Sequence, residues 1–221
     1  MTRQMIIPLL FGFLGAILFV SLGMWQLQRL EWKQGILAEI DRRLAADPVA
    51  IPADPDPVAD EYLRVKVSGT LGEGVVYVLT TQGQPGYRVI VPLTLTDGRT
   101  ILAELGFVPA ARQMVASPVG TLNGTGYLMW PDEVDGYTPE PDLSANEWYA
   151  RDVDRMAETL GTDPILVVLT DADNINDITP SEVSIHISNR HLEYVFTWLG
   201  FAIIWIGMTA LYLWRIKRRP M

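Results

Sequence analysis

Two uncharged apolar runs, one near each end, constrain this chain more than any other feature. Met5 to Leu27 (MIIPLLFGFLGAILFVSLGMWQL) and Tyr194 to Trp214 (YVFTWLGFAIIWIGMTALYLW) contain no Asp, Glu, Lys or Arg. At about 1.5 Å per helical residue, each is long enough for a hydrocarbon core of about 30 Å. Neither carries the charged face that would lay a helix along a membrane surface. The first run reads as an uncleaved anchor. Only Arg3 precedes it, its apolar stretch exceeds the roughly 7–15 residues of a signal core, and Trp25-Gln26-Leu27-Gln28-Arg29 offers no small-residue cleavage site.

The flanking charges predict an orientation. Arg215, Lys217, Arg218 and Arg219 crowd the end of the second run and Arg3 precedes the first, which places both termini in the cytoplasm. Arg29, Lys33, Arg42 and Arg43 pull the other way, but two spans and the basic tail together favour the intervening segment outside. Of the net charge of −9, Arg3 and the four tail cations contribute +5, so residues 28–193 carry −14. Such a segment suits a basic protein partner better than nucleic acid or an anionic bilayer. The absence of cysteine excludes disulfides and Cys-ligated metal or iron–sulfur sites.

Between the spans the hydrophobic period changes. Leu27, Leu30, Gln34, Leu37, Ile40 and Leu44 keep helical spacing, so the first helix should run on to about Ala46. Pro48, Pro52, Pro55 and Pro57 then forbid helix and predict an extended linker. From Tyr62 the period is two, and β-rich segments follow at YLRVKVSGTL, GVVYVLTT, YRVIVPLTL, TILAELGFVP and TGYLMW. Turns are expected at Gly72–Gly74, Gly83–Gly86, Asp97-Gly98 (a tight two-residue hairpin) and Asn123-Gly124. A short helix over Asp152–Leu160, a strand at PILVVLTD, a loop over Asp171–Pro180 and a last strand at Val183–Ile187 complete the pattern. The expected organisation is a cytoplasmic N-terminus (1–4), first span (5–27), helical extension (28–46), Pro-rich linker (47–60), β-rich outer domain (61–193), second span (194–214) and basic cytoplasmic tail (215–221). The fold class is an α+β membrane protein whose outer domain is a small antiparallel sheet or barrel with one short helix.

Signs of catalytic machinery are few. Asp132, Glu133, Asp135, Glu140 and Asp142 lie among Pro and Gly, where solvated charge is the default. The run DADNIND from Asp171 to Asp177 has alternating oxygen ligands but lacks the central Gly and distal Glu of a calcium loop. No phosphate loop or nucleophile elbow is present, so the chain is not expected to be an enzyme. Of the two histidines, His186 falls in a predicted strand. His191 stands at the outer mouth of the second span, where an ionisable group is a candidate functional residue. Helical spacing aligns it with Tyr194, Val195 and Trp198, while Trp25, Gln28, Arg29 and Trp32 form a stripe at the same depth of the first helix. An imidazole, aromatic walls and a guanidinium suit haem, with His191 as the metal ligand. An ordinary interfacial belt of Trp, Tyr, Arg and His is the alternative.

The segments GMWQLQRLEWK, RVKVSGTL, GYRVIVPLTLTDGRTILAELGFVP, NEWYARDVDRMA and NRHLEYVFTWLGFA resemble, in order and over nearly the whole chain, the Surfeit locus protein 1 family of cytochrome c oxidase assembly factors. The resemblance implies a chaperone-like role, assisting delivery of haem a to subunit I and stabilising an assembly intermediate. It implies transient haem a binding, linked in bacterial members to a histidine at the position of His191. The implied partners are oxidase subunits, especially subunit I, the haem a synthase and membrane lipid, with no nucleic acid. The implied location is a bacterial inner membrane with a periplasmic central domain. One departure is visible: the family tends to read Asn-Arg-Gly-Trp-Val-Pro where this chain has Glu104-Leu105-Gly106-Phe107-Val108-Pro109. Two rival classes are an interaction protein or accessory subunit of a respiratory complex that never binds haem, and a membrane-anchored sensor.

Overall fold

A computed structural model describes residues 3–82, 84–111, 119–173, 175, 178–180 and 190–218. The element order is α1 (Arg3–Ala45), β1 (Val49–Ala50), β2 (Arg64–Leu71), β3 (Val76–Gln82), β4 (Gln84–Leu95), β5 (Thr100–Pro109), β6 (Gly120–Met129), β7 (Glu147–Trp148), α2 (Val153–Leu160), β8 (Asp163–Ala172) and α3 (His191–Arg218). They form two compact units, one of residues Met1–Glu39 with Ile185–Met221 and one of Ile40–Ser184. The expected strand at Val183–Ile187, and with it His186, lies outside the described residues.

In the first unit α1 and α3 are both long and apolar enough to cross a membrane. They pack antiparallel along one seam. Glycine sets the approach: a Cβ on Gly12 would lie 2.2 Å from Thr209 Cγ2, and one on Gly15 would lie 2.2 Å from Trp205 Nε1. Small residues allow such contact between apolar helices, where packing replaces the hydrophobic drive. The Trp205 indole N–H donates to the Gly12 carbonyl at 3.0 Å, while Phe19 meets Trp198, Phe201 and Trp205. Gly23 lies against Leu199, about one turn beyond Phe19. The seam residues recur at three or four positions in both helices, which keeps them on one face of each.

The second unit is a sheet in the order β1-β2-β6-β8-β5-β4-β3-β7. The antiparallel expectation is corrected: β1·β2, β3·β7 and β5·β8 are parallel, so the sheet is mixed. β8 lies between β6 and β5, antiparallel to the first and parallel to the second. An extra pairing of Gly69–Leu71 with Leu93–Leu95 curls the sheet without the continuous ladder of a closed barrel. β5 is buried on both faces, one set of side chains joining Val65, Leu93 and Val167, the other facing Met156 of α2. That explains its near-continuous apolar run. α2 begins at an Asp152 cap that accepts from the Arg155 amide, and stops at Gly161, whose φ of 67° only a residue without Cβ adopts easily.

Several turns differ from expectation. Asn123 and Gly124 lie inside β6, opposite Ser68 and Val67 of β2. Gly is needed there for close packing, since a Cβ would lie 2.3 Å from the Asp171 carbonyl of β8. β8 itself continues to Ala172, so the Asp171–Pro180 loop starts later than expected. β4 begins at Gln84, within the expected Gly83–Gly86 turn. At Asp97-Gly98 the bonds Leu95 N–H to Arg99 O (2.8 Å) and Gly98 N–H to Leu95 O (3.0 Å) close a loop longer than two residues. Gly98 takes its φ of 91°. The Pro-rich segment is tied down: β1 pairs with β2, and the Arg99 guanidinium donates to the carbonyls of Ile51, Pro52 and Ala53. The last turn of α1 joins this unit, with Ile40 buried and Arg43 donating to the Ala59 and Glu61 carbonyls.

Glu104 of β5 is fully buried yet charged. One of its carboxylate oxygens accepts from Arg88 at 2.8 Å and the other from Arg151 at 3.1 Å. Arg151 turns its remaining donors on Glu133, at 3.0 Å from Nε and 2.5 Å from Nη2. Glu133 is thus not the merely solvated loop acid the sequence implied. Beside this network, burial first and the Glu104 charge second push the Tyr127 hydroxyl up to about 12. Leu105 and Phe107, which with Glu104 are the positions of departure from the family pattern, are buried core residues here.

Removing one member of a buried ion network leaves a charge unpaired, at about 3–5 kcal/mol. Glu104→Ala should lose that much stability, read as a large fall in the thermal midpoint of the purified full chain in detergent. Burial works to raise the Glu133 carboxyl, but the Arg151 side-chain and backbone bonds outweigh it and hold its pKa below the ordinary value. A depressed carboxyl contributes fully above its unfolded pKa of about 4.3, and the contribution is lost as pH falls through the folded value. Glu133→Gln should therefore lower the midpoint at neutral pH, with the difference from wild type shrinking below about pH 4.

Candidate functional site

α3 starts at His191, with Glu193 in its first turn where a carboxylate complements the positive end of the helix dipole. From that position the imidazole Nδ1 lies 2.8 Å from the Gln26 side-chain oxygen of α1. Gln26 is only 8% exposed. It continues the seam that runs through Gly12, Gly15, Phe19 and Gly23, so close helix approach brings the two polar groups together.

The other expected site residues separate into two sets. Trp198 lies on the seam, roughly parallel to Phe19 (centroids 6.1 Å apart, 21° between planes) and edge-on to Phe201. Its indole N–H is buried and has no partner among the described residues. Val195, between His191 and Trp198, is buried. By contrast Trp25, Trp32 and Tyr194 are half-exposed, and Gln28 and Arg29 are exposed. About 100° per residue centres the stripe Trp25, Gln28, Arg29, Trp32 on a flank of α1 roughly 110° around from Gln26, with Arg29 its nearest member. Within it the Arg29 guanidinium covers the Trp32 ring at 3.9 Å from the centroid. Among the described residues no bond joins this stripe to His191.

Sequence reasoning missed Gln26. The signal was present, because Gly12, Gly15, Phe19, Gly23 and Gln26 recur at three or four residues, and a small-residue row marks a helix seam. The aromatic stripe one residue over drew attention instead. The donor set fits a haem group in its chemistry: an imidazole with one nitrogen engaged and the other unbonded among the described residues, planar aromatic surface, and a guanidinium on the flank of α1.

The other polar cluster is structural. Asp173, within the acidic run, accepts from the Asn123 amide at 2.6 Å and so fastens the end of β8 to β6. Asn174, Asn176 and Asp177 lie outside the described residues. Among the described residues no group of three or more His, Cys, Asp or Glu could hold a metal ion.

Comparison with known proteins covers the same chain. The model of the SURF1 family matches residues 13–203. Surfeit locus protein 1 of Rattus norvegicus is 30% identical over 232 residues, covering 90% of this chain and 73% of that protein. The Homo sapiens protein of the same name is 30% identical over 224 residues, covering 88% and 72%. A SURF1-like protein of Rickettsia felis is 25% identical over 209 residues, covering 88% and 92%. None of these names denotes an enzymatic activity.

Proposed function

The chain belongs to the SURF1 family, and on that premise we propose that it is an assembly factor for cytochrome c oxidase that holds haem a briefly for delivery to subunit I. The observation that carries this reading is His191, held at the end of the helix seam through Nδ1, half-buried, and with Nε2 unbonded among the described residues. When bound, the haem would supply an iron to which a neutral histidine nitrogen can bind. His191 is the residue to hold it. Trp25, Trp32, Tyr194 and Trp198 offer aromatic surface, and Arg29 a cation for the propionates, with Gln28 beside it on the stripe.

The chain's own part in such a role is to bind and release. A site at the mouth of two helices is open on its flank, and residence time is set mainly by the off-rate, so an open site suits a donor. The acidic segment, −14 over residues 28–193, offers a docking face for basic surfaces on the oxidase or the haem a synthase. We place both termini in the cytoplasm and the sheet domain in the periplasm of a bacterial inner membrane, on the basic tail of α3.

Purification of the chain from cells that make haem a tests the proposal. The wild type should carry a haem absorption band and His191→Ala should lose at least about nine-tenths of it, since losing even a group hydrogen-bonded behind a metal ligand costs about tenfold or more. An equal band in both proteins removes His191 from the site. Co-purification with subunit I but without haem in the wild type would make the chain an interaction protein.

A further inference from the structure

We infer that Gln26 is a positioning residue which fixes the tautomer of His191, so that Nε2 is presented as a free base toward an incoming metal centre. This rests on the haem reading above. The carbonyl oxygen of a glutamine side chain accepts hydrogen bonds and cannot donate them. With that oxygen 2.8 Å from Nδ1, the proton of the bond belongs to Nδ1. A neutral imidazole carries one ring proton, so Nε2 keeps its lone pair. Metal-binding histidines usually depend on such an acceptor behind the ring, which sets both tautomer and orientation.

The surroundings strengthen the assignment. Gln26 is almost fully buried on an apolar seam, where an unmade hydrogen bond is costly and water is scarce. Gly23, one turn earlier, lies against α3, with Leu199 at van der Waals distance, 3.5 Å, from where a Cβ would stand. The opposite amide orientation would place the NH2 against Nδ1 and the ring proton on Nε2. His191 would then present a donor to the membrane side, and Gln26 would be only an interhelical staple. The two arrangements differ in which ring nitrogen is protonated, whatever their effect on helix packing.

Nitrogen-15 NMR of the haem-free full chain, labelled at histidine and held in nanodiscs, separates them. His191→Ala identifies the signals. The proposal expects a protonated Nδ1 and an unprotonated Nε2 in the wild type and in Gln26→Glu, which keeps the acceptor. Gln26→Met, which removes it at similar size, should move the proton toward Nε2. In haem-loaded protein, Gln26→Met should release haem about 10–100-fold faster, and Gln26→Glu should retain it. A protonated Nε2 in the wild type overturns the proposal, as does an unchanged release rate in Gln26→Met when His191→Ala has lost the haem. If His191→Ala keeps its haem, the haem reading fails, and the ligand half of this inference with it. The nitrogen signals still decide the tautomer.

Discussion

Hydrocarbon offers no water to a buried polar group, and the rest of the helix pair follows from that constraint. The Gln26 amide and the His191 ring sit where the two apolar helices close on each other, and each satisfies the other at 2.8 Å. The bond joins helices that are packed closely along the whole seam, and glycine permits the closest approach farther along it. With Gly12 against Thr209 and Gly15 against Trp205, no side chain larger than hydrogen fits on α1. The same packing gives the Trp205 indole a backbone carbonyl to bond. The placement of His191 against Gln26 is therefore a consequence of how the whole seam is built.

The sheet domain solves a different problem with charge. Glu104 sits on a central strand buried on both faces, where an isolated carboxylate would be expelled or neutralised. Arg88 and Arg151 bond its two oxygens, Arg151 also holds Glu133, and the network ties β4, β5 and the segment before α2 into one unit. Replacing such a network with apolar residues can be neutral or stabilising, while breaking it is costly. Its value here lies in fixing where the acidic loop that contains Glu133 meets the sheet.

Much of this was legible in the residues. Charge-free runs gave the two long helices, period-two segments gave β2 to β6, and Asp152 with Gly161 bounded α2. The parallel pairings were not legible, because a strand's partners depend on connections that its own alternation does not encode. Asn123-Gly124 read as a turn since the pair favours one in isolation, yet tertiary contact with β8 claimed the glycine for close packing. The exposed aromatic stripe was visible and the buried Gln26 was overlooked. Gln26 stands in register with the small-residue row of α1, but its role appears only when the opposite helix supplies the histidine.

Haem transfer is the central claim, and one mixing experiment addresses it most directly. The purified chain loaded with haem a would be mixed with subunit I from cells that make no haem a, both in nanodiscs, while the absorption spectrum is followed. The account predicts that haem moves to subunit I faster from the chain than from free haem a at the same concentration. Equal rates from the two sources, or haem that stays on the chain, would contradict it.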